Sequence, residues 1–258
     1  MASRRWLSAV FPMHRFFVSP NRIHHRFVQF DDDQAHQMRR VLRLRPGDQV
    51  VVLDGSGWQY EATLEEVSNA KATGRLSEPV EATGEPAARL TLYQSLVRRE
   101  KFEWVLQKGT EVGVAAFVPV ITRRSLVRDA EDIGPEKLGR WRRIIREAAE
   151  QSGRGLLPSL TGPIDFDASP TGALQAGMAL IAWEGETRRT IGEALAGRSP
   201  AHDFALFIGP EGGFDEEEVR LAESWGAVPV SLGRRILRAE TAAVVGAALV
   251  LHHLGELG

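Results

Sequence analysis

Apolar and polar residues follow two different rhythms along the chain, and the change falls near residue 89. Before it, short runs with a period of two predict strands over 15–18, 49–54, 58–64 and 71–77, because side chains alternate across a pleated sheet. Gly55-Ser56-Gly57 joins the second and third of these as a hairpin, and Pro46-Gly47-Asp48 turns the chain into it. The stretch 34–43 breaks the rhythm: His36, Met38, Val41 and Leu42 suit a short helix that carries Arg39, Arg40 and Arg43.

After the change, strands over 90–95, 117–121, 178–183, 204–208 and 228–232 alternate with helices over 101–112, 136–151, 191–196 and 241–251. That alternation predicts an α/β domain with a doubly wound parallel sheet. The last helix has almost no polar face, so burial is expected all round it. Pro79, Gly84 and Pro86 mark a linker. The chain therefore divides into an extension at 1–12, a small β-barrel suited to nucleic acid at 13–80, a linker at 81–89 and the α/β domain at 90–258.

Composition narrows the chemistry. The 258 residues contain no cysteine, which excludes disulfides, thiolate zinc sites and cysteine nucleophiles. Among seven histidines, the pairs His24-His25 and His252-His253 have diverging side chains and no carboxylate spaced to complete a site, so no metal is expected. No apolar run approaches the ~20 residues of a membrane helix. The apolar patch within 1–12 is too brief for a secretory signal, Met13 offers a second start, and a cytoplasmic location is expected. A net charge of −2 conceals arginine-rich stretches near the start and between 123 and 154, whereas acidic residues gather at Glu211 and over 215–218. Such segregation permits a polyanion-binding face.

Candidate chemistry concentrates where the predicted strands end. Gly209-Pro210-Glu211-Gly212-Gly213 follows 204–208; its glycines let backbone groups approach a flat ligand, Pro210 limits the loop's freedom, and Asp215 with Glu218 reads as a capping box. Trp183-Glu184-Gly185-Glu186 follows 178–183. Gly233 leaves 228–232, and Arg234, Arg235, Arg238 and Glu240 crowd the entrance to the apolar helix. Ligands of such sheets bind beyond the carboxyl ends of the strands. Neither glycine loop carries Gly-x-Gly-x-x-Gly or Gly-x-x-x-x-Gly-Lys, which disfavours pyrophosphate and a nicotinamide oxidoreductase. A ligand with adenosine but no phosphate fits better.

Several stretches together resemble the RsmE family of 16S ribosomal RNA uracil-N3 methyltransferases. They are Gln94-Ser95-Leu96, Gln107-Lys108-Gly109-Thr110-Glu111-Val112-Gly113, Arg124-Ser125, and Glu147-Ala148 through Glu150-Gln151-Ser152-Gly153-Arg154. Ile208-Gly209-Pro210-Glu211-Gly212-Gly213-Phe214 and Leu232-Gly233 through Ile236-Leu237-Arg238-Ala239-Glu240-Thr241-Ala242 complete the set. Arg15-Phe16-Phe17-Val18, and His36 with Val41-Leu42-Arg43, resemble the family's N-terminal domain, so the likeness runs from about Met13 to the end. It implies a PUA-like RNA-binding barrel, a SPOUT domain with a parallel sheet and trefoil knot, and a homodimer. The implied reaction moves a methyl group from S-adenosyl-L-methionine to N3 of one uridine in 16S rRNA, near the decoding region of the small ribosomal subunit.

The resemblance also implies residue roles. Cofactor contacts fall on Trp183, Glu184, Gly185, Ile208, Gly209, Pro210, Gly212, Gly213, Leu232, Gly233, Ile236 and Leu237. Arg238 is the candidate to orient the uracil and stabilise its enolate charge, and Glu240 or Glu211 to accept the N3 proton. RNA contacts are expected at Arg15, His36, Arg39, Arg43, Arg124 and Arg154. Methylation at pyrimidine C5 usually needs a covalent cysteine adduct, so the missing cysteine agrees with direct attack by N3. Two alternatives stand: another acceptor on the same scaffold, such as ribose 2′-oxygen or guanine N1, or a non-catalytic ribosome-assembly factor that binds RNA.

Overall fold

A computed structural model of the chain describes residues 13–126, 133–169, 177–196 and 203–258. The expected extension at 1–12 lies outside them. The described chain forms two units, the first running to Gly84 and including Gly153–Leu156, the second comprising Glu85–Ser152 and Leu157–Gly258.

In the first unit Arg15–Phe17 (β1), Ile23–His24 (β2), Phe27–Gln29 (β3), Gln49–Leu53 (β4), Trp58–Val67 (β5), Ala72–Leu76 (β6) and Val80–Glu81 (β7) make one sheet. Its order is β1-β4-β5-β6-β3-β2, with β7 beside β5. Phe16, Val28, Val50, Val52, Ala62, Leu64 and Leu76 supply a core that Ala35 and Met38 join from the helical segment. That segment begins at Asp32–His36 (α1). Asp31 caps it by accepting the Gln34 N–H at 2.8 Å, while the Gln34 side chain accepts the Asp31 N–H at 3.1 Å. The helix continues as a π turn over Gln37–Val41, and Arg43 ends it at φ 56°. The expected linker is shorter than its sequence suggests, because Val80–Glu81 pairs with β5 and Arg89 already belongs to the next strand.

The second unit holds Arg89–Ser95 (β8), Ala116–Ile121 (β9), Ser159–Leu160 (β10), Ile164–Asp165 (β11), Met178–Ala182 (β12), Asp203–Ile208 (β13) and Val228–Val230 (β14). All pair in parallel, in the order β10-β9-β8-β13-β12-β14, with β11 also on β9. Its helices are Arg99–Val112 (α2), Pro135–Ser152 (α3), Ile191–Leu195 (α4), Glu216–Ser224 (α5) and Ala239–His253 (α6). Alternate strand residues serve opposite layers, as a sheet covered on both faces requires. Leu90, Leu92, Leu206 and Ile208 pack with residues of α2, α3 and α6, whereas Tyr93, Ala205 and Phe207 pack with Phe214, Val219 and Trp225.

The expectation that 241–251 is buried all round is met on one side only. Ala239, Ala243, Gly246, Ala247, Val250 and Leu251 are buried, but Val244, Val245 and Ala248 are half-buried and Leu249 is 40% exposed. Small residues set this geometry: a Cβ on Gly246 would lie 3.0 Å from Leu206 Cδ2, so the helix rests directly on β13. Among the described residues no helix is long and apolar enough to cross a membrane, and no group of His, Asp and Glu is arranged to hold a metal ion.

Candidate functional site

Val230, Ala182, Ile208 and Gln94 stand side by side in register across β14, β12, β13 and β8. Because the strands are parallel, all four carboxyl ends open on the same edge, and the loops carrying the expected cofactor residues leave from it. The ends are tied across strands: the Trp183 N–H donates to Val230 O at 3.1 Å and the Ser231 N–H to Arg189 O at 2.7 Å.

Glycine is required where these loops touch. Gly213 has φ 68°, its N–H donates to Pro210 O at 3.0 Å, and a Cβ there would overlap the Glu184 carboxylate. The loops after β12 and β13 are therefore in contact. A Cβ on Gly209 would sit 3.1 Å from the Phe214 nitrogen, and one on Gly185 would overlap the Trp183 ring. From below, Arg124 Nη1 donates to Gly212 O at 2.8 Å and Nη2 to Asp215 Oδ2 at 3.3 Å. Buried Glu218 completes the support, accepting the Arg123 N–H and the Asp215 N–H at 2.8 Å each.

The loop after β14 is more open. Leu232 and Leu237 are half-buried; Gly233 (φ 109°), Arg234, Arg235 and Arg238 are exposed, and Ile236 is 92% exposed. Arg238 is the N-cap residue of α6 but makes no side-chain capping bond. Two residues on, Glu240 faces Glu211 across a third residue that the sequence reading missed. Lys101 Nζ lies 3.2 Å from Glu211 Oε1 and 3.5 Å from Glu240 Oε2. Burial pushes the Glu211 carboxyl up, but its own backbone N–H, the Lys101 ammonium and the Arg98 backbone together hold it below the ordinary value. Gln94 Oε1 and Ser95 Oγ are buried at the end of β8 without a hydrogen-bond partner.

The expected RNA contacts fall in different places. His36, Arg39 and Arg43 are exposed on α1 and the π turn, and half-buried Arg15 donates to Gln59 Oε1 at 3.0 Å. Arg124 braces the first glycine loop. Arg154 is only 3% exposed, so its guanidinium is withdrawn from any RNA surface. Its position in a Gly-Arg-Gly run hides that burial, and Gly153–Leu156 count with the first unit. Gln107, Lys108, Glu111, Glu147 and Gln151, which help carry the family resemblance, line an open hollow of about 410 Å³ formed by α2 and α3 rather than the strand ends.

The strand-end residues fit an adenosine-bearing sulfonium cofactor. Glu184 offers a carboxylate for hydroxyl or ammonium groups, the glycines at 185, 209 and 213 let the loops close on their own neighbours, and Gln94 Oε1 and Ser95 Oγ are buried without a hydrogen-bond partner at the end of β8. A family model for the RNA methyltransferase domain matches residues 84–251, and one for the RNA methyltransferase PUA domain matches residues 30–77. The chain is 37% identical over 240 residues to ribosomal RNA small subunit methyltransferase E of Synechocystis, covering 92% of this chain and 77% of that protein. The enzyme of the same name from Neisseria gonorrhoeae, solved bound to S-adenosyl methionine, superposes with TM-score 0.80 at 30% identity, covering 93% and 97% of the two chains. A Legionella pneumophila structure with bound cofactor SAM superposes with TM-score 0.86 at 30% identity, covering 94% and 98%.

Proposed function

The chain belongs to the ribosomal RNA small subunit methyltransferase E family, and we propose that, as an S-adenosylmethionine-dependent rRNA methyltransferase, it modifies N3 of one uridine in 16S rRNA near the decoding region. The observation that carries the reading is the junction of three glycine-bearing loops at in-register strand ends with a cluster of Glu240, Glu211 and Lys101, Glu240 lying two residues after Arg238.

Trp183, Glu184, Gly185, Ile208, Gly209, Pro210, Gly212, Gly213, Leu232, Gly233, Ile236 and Leu237 hold the cofactor in this reading. Bound there, S-adenosylmethionine would supply an electrophilic sulfonium methyl group for N3. The protein then has two tasks: to align the base and to remove the N3 proton. Arg238 serves the first, because an exposed guanidinium at a helix start donates to a uracil carbonyl oxygen while staying charged. Glu240 and Glu211 are the candidates for the second. His36, Arg39 and Arg43 bind the RNA backbone from the PUA unit.

Three wider features belong to the same proposal. The half-covered face of α6 pairs with its copy in a homodimer, as its partly exposed apolar stripe supports. The 203–258 region is threaded as a trefoil knot; support comes from a chain that leaves β14 at the sheet edge and returns as α6 against β13. An experimentally traced backbone lacking the thread would overturn it. The work is placed in the cytoplasm, where ribosomal RNA is found in bacteria.

The test of the reaction is nucleoside mass spectrometry of 16S RNA after incubating small subunits, or naked 16S RNA, with the protein and S-adenosylmethionine. 3-Methyluridine is the expected product. A ribose-methylated nucleoside or 1-methylguanosine would move the reaction to another acceptor, and no methylation would favour an assembly factor.

A further inference from the structure

Lys101 gathers charged groups from three separate parts of the fold. It lies in the first turn of α2, Glu211 in the loop after β13 and Glu240 in the first turn of α6. The cluster is shielded, with side-chain exposures of 27%, 30% and 15% for Lys101, Glu211 and Glu240. The two carboxylates are provided for unequally. Glu211 receives the Lys101 ammonium at hydrogen-bond distance together with backbone donors from Arg98 and from itself. Glu240 Oε2 is buried, lies at ion-pair distance from the ammonium, and accepts no hydrogen bond. A buried carboxylate oxygen without a donor costs free energy that a ligand N–H can recover.

We propose that Lys101 is a positioning residue that decides between the two carboxylates: it engages Glu211 in a hydrogen-bonded ion pair and leaves Glu240 Oε2 to take the proton from N3 of the target base. The proposal rests on the N3-methylation reading above. In the step, the N3–H bond breaks, the proton goes to Glu240, and the electron pair stays on nitrogen; Glu240 becomes neutral while Lys101 and Glu211 keep their opposite charges. The charged groups that meet here are Lys101 from the start of α2, Glu211 from the loop and Glu240 from the start of α6, with Arg98 and Arg238 as the N-cap residues of the two helices.

The test uses the full chain in four variants, Lys101→Met, Lys101→Arg, Glu211→Gln and Glu240→Gln, with single-turnover rates on small subunits across pH. Glu240→Gln is expected to slow transfer about 100-fold or more, as loss of a general base does, and more than Glu211→Gln. Lys101→Met is expected to lower the single-turnover rate and shift the acid limb of its pH profile, and Lys101→Arg to restore most of the rate. In cofactor-free protein, carboxylate NMR titration is expected to show Glu211 titrating at higher pH in Lys101→Met than in the parent. A larger loss in Glu211→Gln than in Glu240→Gln overturns the choice of acceptor, even where Lys101→Met does not fold. Parent-like rate and pH profile in a folded Lys101→Met overturn the role of Lys101. If the parent forms no 3-methyluridine, the N3 reading fails on its own account, while the NMR titration still decides whether Lys101 holds Glu211 as an anion.

Discussion

Arg43 holds φ 56° at the end of the helical segment, with the Leu44 N–H reaching back to Met38 O at 2.8 Å, a position where glycine is the usual residue. A bulky residue in that conformation costs about 1 kcal/mol, so an exposed arginine there is retained against local preference. Arg43→Gly is expected to raise stability by roughly 0.5–1 kcal/mol in chemical denaturation, yet to weaken RNA binding and flatten its salt dependence by about one counterion. Unchanged RNA affinity would make the strain incidental. Arg124 shows the reverse displacement of role. Sequence suggests an RNA contact, but the guanidinium braces Gly212 and Asp215 in the glycine loop after β13, proposed above to hold the cofactor. A charged hydrogen bond is worth about 1.5–3 kcal/mol, and 47% exposure of the side chain reduces that to roughly 1 kcal/mol, or about fivefold in affinity. Calorimetry on Arg124→Ala is expected to show that loss toward S-adenosylmethionine; a loss confined to RNA would restore the sequence-based role. Lys101 was illegible for a simple reason: a lysine in a first helical turn reads as solvated surface until the fold brings Glu211 and Glu240 to it.

At the scale of elements, what could be read was what repeats or caps. The strands 90–95, 117–121 and 204–208 were visible as apolar runs because both faces of the sheet are covered, and the capping box of Asp215 and Glu218 marks the start of α5 where the sequence places it. β2, β3, β10 and β11 were not visible: at two or three residues each, they are too short to show a period. The close approach of α2 to the sheet was also hidden. Gly109 reads as one more residue on an apolar face, but a Cβ there would meet the buried Phe117 ring at 2.7 and 2.9 Å. Alanine gains about 1 kcal/mol of helix propensity over glycine, whereas overpacking a close-packed layer costs about 1–3 kcal/mol, so the clash decides the sign. Gly109→Ala is expected to lower the unfolding free energy of the second unit by a net of up to about 2 kcal/mol, seen as a lower urea midpoint. A higher midpoint would mean that α2 can lift off β9 without loss.

At the scale of the whole molecule, α6 reports what a single chain leaves incomplete. Sequence could say only that 241–251 is apolar all round; which stripe meets the sheet follows from the small residues Ala243, Gly246 and Ala247 that let it approach β13. The remaining stripe, Val244, Val245, Ala248 and Leu249, is too apolar for a permanently solvated helix face. A second copy covers it with the same stripe under the homodimer proposal, and a twofold axis makes every substitution count twice. Losing a leucine contact and burying a carboxylate in its place costs at least about 1–2 kcal/mol per site, hence about 2–4 kcal/mol per dimer and roughly 30- to 1,000-fold in the dissociation constant. Sedimentation velocity at micromolar concentration is expected to show a dimer for the parent chain and a monomer with unchanged circular dichroism for Leu249→Glu. Because Arg238 and Glu240 sit in the first turns of the same helix, the monomeric variant also tests whether their geometry depends on the pairing. A parent chain that sediments as a monomer would leave the stripe to some other partner and detach the active site from the dimer altogether.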